Sequence, residues 1–160
     1  MTQLSYTRGP QDNPLLAMTI GEAFDATVRL HARREALVVR HQNLRYSWGE
    51  LAEVVEDCAR GLLALGLLPG DRVSIWAPNC AEWCIAQFAT AKVGAILVNI
   101  NPAYRLNELE YALKQSGCRW LICAEQFKSS DYHAMLAELI PQLADSPPGG
   151  LHAPQLAELR

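Results

Sequence analysis

The stretch from Asp71 to Tyr104 constrains the fold most, because it predicts a strand, a crossover helix and a second strand of matching lengths. Residues 72–76 alternate apolar side chains, and residues 95–100 form a short branched apolar run typical of a buried parallel strand. A helix over residues 81–93 would rise roughly 20 Å, which matches the roughly 20 Å of a six-residue strand. The unit therefore predicts two parallel strands joined by a right-handed crossover.

The helix predicted at residues 81–93 is apolar on more than one side. Its strongly polar residues are Glu82, Gln87, Thr90 and Lys92, so its apolar surface exceeds the stripe of about 100° that a helix on one sheet requires. Such a helix needs cover on two sides. We expect that a chain of 160 residues has difficulty supplying the second layer, and that part of the natural protein is missing.

The N-terminal part predicts an extended lead-in over residues 1–17, a helix, a hairpin and a longer helix. Thr19 with Glu22 forms a capping box that opens a helix to about residue 31, and Ser47 with Glu50 repeats it for a helix to about residue 65. Residues 36–40 and 43–47 predict the hairpin strands between them. The residues expected to face inward are Ile20, Phe24, Thr27, Val28 and Leu30 in the first helix and Leu51, Val54, Val55, Cys58, Leu62 and Leu65 in the second.

The C-terminal part predicts a second strand–helix–strand unit that shares the strand at residue 95. A helix over residues 106–116 ends at Gly117, a strand follows at 119–124, and Ser130 is expected to cap a last helix that Pro141 interrupts. The predicted class is α/β, a three-layer and mostly parallel sheet with crossover helices and an N-terminal hairpin. The expected units are a lead-in at 1–17, a partial α/β domain at 18–144, and a loop and truncated end at 145–160.

Composition excludes several function classes. A net charge of −3 gives no positive electrostatic field that would attract nucleic acid. No run reaches the roughly 18 apolar residues of a membrane span, and the N-terminus has no apolar core of a signal peptide. A cytoplasmic location is the default expectation.

The five cysteines predict buried reduced thiols, since their number is odd and most sit inside apolar patterns. Cys80 and Cys84 could meet on one helical face. No second Cys or His pair at ligand spacing accompanies them, so a zinc site is not expected.

Other candidate chemistry has simpler structural explanations. Gly61 and Gly66 have the outer spacing of a phosphate loop, but Leu67 and Leu68 stand where Lys and Ser/Thr are required. Ser47 is explained by its capping role. The remaining candidates are interpreted as surface or locally bonded residues: His31, His41, His133 and His152, and the helix-face carboxylates Glu53, Glu56 and Asp57.

The segment from Asn99 to Arg105 is the best candidate for ligand contact, because ligands of open α/β sheets gather beyond the carboxyl ends of strands. The alternative is a purely structural turn, in which Asn and Pro shape the loop and Tyr104 packs.

Three stretches together resemble the adenylate-forming (AMP-binding) enzymes. LRYSWGEL at residues 44–51 resembles their first core motif, PGDRV at 69–73 with Ala77, Pro78, Asn79 and Glu82 resembles the following strand and turn, and AKVGAILVNINPAY at 91–104 resembles the second core motif. Within the family, the Asn101–Tyr104 segment, the ELEY sequence at 108–111, Gly117 with Cys118 and the QFK sequence at 126–128 are most similar to fatty acyl-CoA synthetases of the medium-chain branch.

The resemblance implies the N-terminal portion of the large domain of an acyl-CoA synthetase. Such a ligase joins a fatty acid to ATP, with magnesium, and passes the acyl group from the acyl-adenylate to coenzyme A. The family's phosphate loop, its adenine contacts and its catalytic Lys would lie beyond Arg160, so we carry over no catalytic, cofactor-binding or metal residue.

Two hypotheses follow for the chain itself. The first is a silent fragment of an acyl-CoA synthetase, with no ligand expected on these residues. The alternative is a non-catalytic scaffold or interaction module that retains half of the fold. Self-association through exposed apolar surface is expected if the missing part would cover that surface.

Overall fold

The computed structural model describes residues 8–10, 12 and 15–160. Much of the predicted lead-in, namely residues 1–7, 11, 13 and 14, lies outside the described residues. Residues 8–10, 12 and 15–19 form neither helix nor strand, and the first regular element among the described residues begins at Ile20.

Two capped helices flank the predicted hairpin. Helix α1 (Ile20–His31) begins after Thr19 and α2 (Trp48–Ala64) after Ser47, and both capping boxes are formed. Strands β1 (Glu35–Val39) and β2 (Leu44–Ser47) pair antiparallel. The turn between them is a short 3₁₀ helix that Asn43 closes in the left-handed conformation, with a φ of 54°.

The predicted inward faces of α1 and α2 are partly wrong. Ile20 and Leu30 are 62% and 77% exposed, and Leu65 is 69% exposed. The prediction is confirmed for Phe24 in α1 and for Leu51, Val55 and Leu62 in α2, which are buried, and Gly21 and Ala59 are buried in addition. The buried residues of α2 recur every three or four positions and therefore lie on one face of the helix.

A parallel sheet of three strands forms the centre of the structure. Strand β3 (Arg72–Trp76) leads through α3 (Ala81–Lys92) to β4 (Ile96–Ile100), and β4 leads through α4 (Leu106–Ser116) to β5 (Trp120–Cys123). The strand order is β4-β3-β5, so the first strand lies between the other two. Both predicted strand–helix–strand units are confirmed, with bounds within two residues of those expected.

The chain ends in short elements. Strands β6 (Gln126–Phe127) and β7 (Ser130–Asp131) form a small hairpin that leads into α5 (Tyr132–Leu139). The prediction that Ser130 caps this helix is wrong, because the Asp131 carboxylate accepts the Ala134 N–H at 2.9 Å. Two 3₁₀ turns follow at Pro141–Ala144 and Pro154–Leu156.

Two large hydrophobic cores cover the two faces of the sheet, and a smaller cluster of Ile75, Ala77 and Ala86 shares Leu97 and Ile122 with the first of them. The first core lies on the face that carries Val73 and is built with α1, α2 and α3 from residues that include Phe24, Leu51, Val55, Leu62 and Ala89. The second core lies on the face that carries Trp76 and is built with α4, α5 and the C-terminal residues, which include Leu109, Tyr132, Leu136, Ala153, Leu156 and Leu159. The three-layer α/β class is confirmed.

The expectation that α3 lacks a second layer is wrong, because α1 and α2 pack against it. Gly21 permits the close approach of α1, since a Cβ there would lie 3.3 Å from the Lys92 Cα. Phe24 of α1 stacks on Phe88 of α3 with ring centroids 4.4 Å apart. The chain therefore covers α3 with its own N-terminal helices.

Candidate functional site

The carboxyl end of the sheet is the place where an open α/β fold binds ligands. Trp76, Ile100 and Cys123 end the three strands, and the loop predicted as the best candidate follows Ile100.

The loop from Asn101 to Arg105 is held mainly by bonds within this chain. The Asn101 side-chain oxygen accepts the Ala103 N–H at 2.9 Å, and the Asn101 carbonyl accepts the Tyr104 N–H at 3.0 Å. The Arg105 N–H donates to the Glu108 carboxylate at 3.1 Å. These bonds form the turn that the structural interpretation of this loop expected. Its expectation that Tyr104 packs is wrong, because Tyr104 is 36% exposed.

Helix α5 closes over the same loop. The Tyr132 hydroxyl donates to the Pro102 carbonyl at 2.6 Å, and the Arg105 guanidinium donates to the Ser130 hydroxyl at 2.6 Å. The Tyr132 ring stacks on Trp76, with ring centroids 3.6 Å apart. Tyr132 thus connects the end of the central strand to the loop beyond the neighbouring strand.

The side chains of Trp76, Cys123 and Tyr132 at this edge are packed and uncharged, which suits a structural role. Burial raises the pKa of Tyr132, and the Cys123 thiol raises it further, so the phenol stays neutral. Burial also raises the pKa of Cys123. The Trp76 indole N–H is fully buried and has no acceptor among the residues that the structure describes.

A concave pocket of about 410 Å³ lies between β1, the hairpin turn and α3. Arg40, His41, Cys80, Cys84 and Trp83 are among its lining residues. Sequence reasoning noted Cys80 and Cys84 but missed the pocket, because the contribution of the hairpin depends on tertiary packing. The spacing between Cys80, which precedes α3, and Cys84 in its first turn was the only signal in the sequence.

The thiols of this pocket are poor nucleophiles. Burial raises the pKa of both Cys80 and Cys84, which keeps the protonated form. Glu82 at the pocket's margin has a lowered pKa because the Gln42 amide donates to its carboxylate at 2.9 Å. Within the described ranges, no three His, Cys, Asp or Glu side chains converge as a metal site would require.

The remaining candidates have the structural roles predicted for them. Gly61 lies inside α2, and Gly66 follows it with a φ of 91°. The Ser47 hydroxyl donates to the Glu50 carboxylate at 2.8 Å and accepts the Glu50 N–H at 3.3 Å. His31 ends α1, His41 lies in the hairpin turn, and His133 lies in α5, so these three are on separate elements. All five cysteines are free.

Helices in the part of the chain that the structure describes are too short or too polar to cross a bilayer.

The family model for AMP-binding enzymes matches residues 24–152. This chain therefore belongs to the AMP-binding enzyme family. It is 43% identical over 156 residues to the mitochondrial medium-chain acyl-CoA ligase ACSF2 of Rattus norvegicus, which covers 98% of this chain and 25% of that protein. It is 39% identical over 137 residues to the putative acyl-CoA synthetase YngI of Bacillus subtilis. That alignment covers 86% of this chain and 25% of YngI.

Solved structures agree with this assignment. A fatty acyl CoA synthetase of Mycobacterium tuberculosis superposes with a TM-score of 0.70 at 29% identity, over 88% of this chain and 27% of that one. The N-terminal domain of FACL13 from the same organism superposes with a TM-score of 0.67 at 28% identity, over 84% of this chain and 32% of that one. The predicted resemblance is confirmed, and the chain spans about a quarter of the length of the curated relatives that it matches.

Proposed function

We propose that this chain is the N-terminal piece of an acyl-CoA synthetase whose parent protein activates a medium-chain fatty acid. The observation that carries the proposal is the 43% identity over 98% of the chain to a medium-chain acyl-CoA ligase. In the parent, a carboxylate oxygen attacks the α-phosphorus of ATP and pyrophosphate leaves. The thiol of coenzyme A then attacks the acyl carbonyl and AMP leaves.

The proposed role of these residues is to form the scaffold of that enzyme. Adenylation needs cations or backbone amides aimed at the transferring phosphoryl group, and Mg²⁺ would be held by polypeptide outside this chain. Support comes from the loop at residues 101–105, whose polar groups bond to one another and to Ser130 and Tyr132. We therefore propose no catalytic, cofactor-binding or metal residue here.

Exchange of radiolabelled pyrophosphate into ATP tests this proposal. The 160-residue chain should give no exchange with medium-chain acids, whereas the gene-length protein should give exchange and form acyl-CoA. In the gene-length protein, Asn101→Ala and Tyr104→Phe should each change kcat less than about threefold. Exchange by the isolated chain, or a loss of kcat above about a hundredfold in either variant, would contradict the scaffold role.

A second candidate is a stand-alone scaffold or interaction module. The observation that favours it is the cover of both sheet faces by helices of this chain itself. An in-frame stop codon directly after Arg160 in the source gene would support this candidate, whereas an open reading frame that continues into a phosphate loop would remove it.

The domain division and the location are also proposals. Residues 1–17 would form a lead-in, 18–144 the α/β unit, and 145–160 a terminal loop segment that packs on that unit through Ala153, Leu156 and Leu159. Limited proteolysis should then remove the lead-in first. The parent is proposed to be cytoplasmic, and microscopy of a fluorescent fusion that marked mitochondria, as the rat relative's name would suggest, would overturn this.

We further propose that the chain self-associates through exposed apolar surface. Leu15, Leu16, Met18, Ile20 and Ile96 are each at least 46% exposed. Apolar surface on this scale favours association when it is contiguous. The particle mass in solution tests this proposal independently of the ligase activity.

A further inference from the structure

Strand β5 lies at one end of the described sheet, and the last residue of the sequence bonds beside it. The strand order is β4-β3-β5. Arg119 lies in a bend just before β5, where its N–H donates to the Arg72 carbonyl of β3 and its own carbonyl accepts the Arg160 N–H at 3.1 Å. The Arg160 bond is therefore on the side of β5 away from β3. Any polypeptide that follows Arg160 starts against this side of the strand.

The backbone groups of Leu121 and Cys123 face the same outer side of β5. In the register of β5 on β3, Cys123 lies opposite Trp76, and the Ala124 N–H donates to the Trp76 carbonyl at 3.2 Å. Because hydrogen-bonding groups alternate sides along a strand, those of Leu121 and Cys123 point away from β3. Among the described residues, no backbone group from outside the sheet bonds to either one. Each residue thus presents an N–H and a C=O to a further strand.

The burial of Leu159 agrees with a parallel ladder that begins at the Arg160 bond. In such a ladder, Leu159 lies opposite Arg119, and the residue two positions after Leu159 lies opposite Leu121. Paired side chains lie on the same face of a sheet, and faces alternate along each strand. Leu121 and Leu159 both pack in the second core, as this register requires.

The position of α5 indicates the same strand independently. The α3 crossover leads from β3 to β4 over the first core, and the α4 crossover leads from β4 in the opposite direction to β5 over the second core. Helix α5 follows β5 and also packs in the second core. A right-handed crossover with its helix on this face must continue in the direction of the α4 crossover, which leads to the outer side of β5.

We propose that the segment directly after Arg160 in the parent protein forms a strand parallel to β5 and extends the sheet by one strand on that side. This inference rests on the proposed function, since it takes the chain to be the N-terminal piece of a longer protein. The chain spans about a quarter of the length of the curated relatives that it matches. The occupant of the β5 edge is therefore the parent's own next segment.

The surroundings of β5 define the chemistry of this segment. Trp120 and Ile122 pack in the first core, and Leu121 and Cys123 pack in the second. A strand between the same two layers should be a run of about five mainly apolar residues. Its second and fourth residues after Arg160 donate their N–H groups to β5, so neither should be proline.

The proposed strand also brings the parent's next residues to the candidate edge of the sheet. Because it runs parallel to β5, its carboxyl end would lie beside Cys123. Ligands of open α/β sheets bind at this edge. The first polypeptide beyond this chain would therefore emerge where the ligase needs its remaining groups.

Amide hydrogen exchange tests the pairing in the isolated chain, in the gene-length protein, and in the chain extended by the next ten or so residues of its own gene. The amides of Leu121 and Cys123 should exchange at least about tenfold more slowly in the gene-length protein and in the extended chain than in the isolated chain. The Ile122 amide faces β3 and should be protected in all three, so it is the internal control.

The matched control is the same extension with proline at its second and fourth positions, which removes the two donors to β5. The amides of Leu121 and Cys123 should then exchange as they do in the isolated chain. Far-UV circular dichroism confirms that each protein is folded.

Three results would overturn the proposal. They are fast exchange of both amides in the gene-length protein, protection there that the extended chain lacks, and equal protection in the extension that carries the prolines. The second result would assign the β5 edge to another segment of the parent. Pyrophosphate exchange by the gene-length protein is a separate measurement. Exchange without protection of the two amides would contradict the strand alone, and protection without pyrophosphate exchange would contradict the ligase function alone.

Discussion

The two cores of this protein are built in different ways. The first core is formed by three regular helices, and its inward residues recur at helical spacing, as Leu51, Val55 and Leu62 do in α2. The second core also has helices, α4 and α5, but it is completed by irregular chain near the C-terminus, where Ala153, Leu156 and Leu159 are buried. Each core contains a stacked aromatic pair, Phe24 with Phe88 in the first and Trp76 with Tyr132 in the second. The difference teaches that one face of a sheet can be covered by regular helices alone, while the other depends in part on residues outside regular helices.

Removal of Trp76, one member of the stacked pair in the second core, should have the largest effect on the free energy of unfolding. Trp76→Ala deletes a fully buried indole from the central strand, and such deletions cost about 3–5 kcal/mol of unfolding free energy. Urea unfolding followed by circular dichroism measures this cost. The control is Trp83→Ala, which removes a partly buried indole that bonds to the Ala77 carbonyl at 3.0 Å, and should cost less. Equal losses of unfolding free energy in the two variants would show that the Trp76–Tyr132 stack contributes no more to stability than the partly buried Trp83 does.

The C-terminal 3₁₀ turn should contribute almost as much. Leu156 is 4% exposed in the second core, so Leu156→Ala should cost about 2–4 kcal/mol through lost burial and a residual cavity. Leu62→Ala, at 8% exposure in the first core, should cost a similar amount. Leu143→Ala, at 42% exposure in the other 3₁₀ turn, is the control and should cost less than about 1 kcal/mol. A negligible loss for Leu156→Ala would mean that residues 151–160 do not complete the second core.

The same contrast explains what could be predicted from sequence. The strand–helix–strand unit at residues 71–104 and both capping boxes were predictable, because period, length and cap chemistry are local signals. The burial of Leu156 and Leu159 was not, since a three-residue turn carries no period and its environment is set by α4 and α5.

The errors within helices have a similar cause. Leu30 and Leu65 lie at or near helix ends, where an apolar residue can point past the neighbouring helix, and both are exposed. For the candidate site, sequence located the loop at the correct edge of the sheet. It could not reveal Tyr132, which reaches Pro102 from a helix 30 residues later in the chain.

A smaller effect is expected for the bond from Tyr132 to the candidate loop. Tyr132→Phe keeps the stack on Trp76 but removes the donor to the Pro102 carbonyl, which should cost about 1 kcal/mol. Amides of residues 103–105 should also exchange faster. Tyr111→Phe, at a residue that is 67% exposed, is the matched control and should leave both measurements unchanged. Unchanged exchange in Tyr132→Phe would mean that the loop's internal bonds suffice to hold it.

The smallest expected effect concerns the ion cluster that joins the three helices of the first core. Lys92 of α3 lies 2.7 Å from the Asp25 carboxylate of α1 and 3.1 Å from that of Glu56 on α2. The hydrogen bond to Asp25 raises the pKa of Lys92, Glu56 adds to this, and partial burial opposes it. Because these carboxylates are 42% and 47% exposed, Lys92→Met should cost only about 0.5–1 kcal/mol.

The pH dependence of that cost identifies its origin. A raised pKa in the folded state means that the stabilisation is fully present below the unfolded pKa, near 10.5, and is lost as pH rises through the folded pKa. The difference between wild type and Lys92→Met should therefore stay constant up to about pH 10 and shrink above it. Lys114→Met removes a pair within α4 alone and should cost about 0.3–0.5 kcal/mol. A Lys92→Met cost that persists undiminished at high pH would assign the effect to packing of the lysine methylenes between the helices.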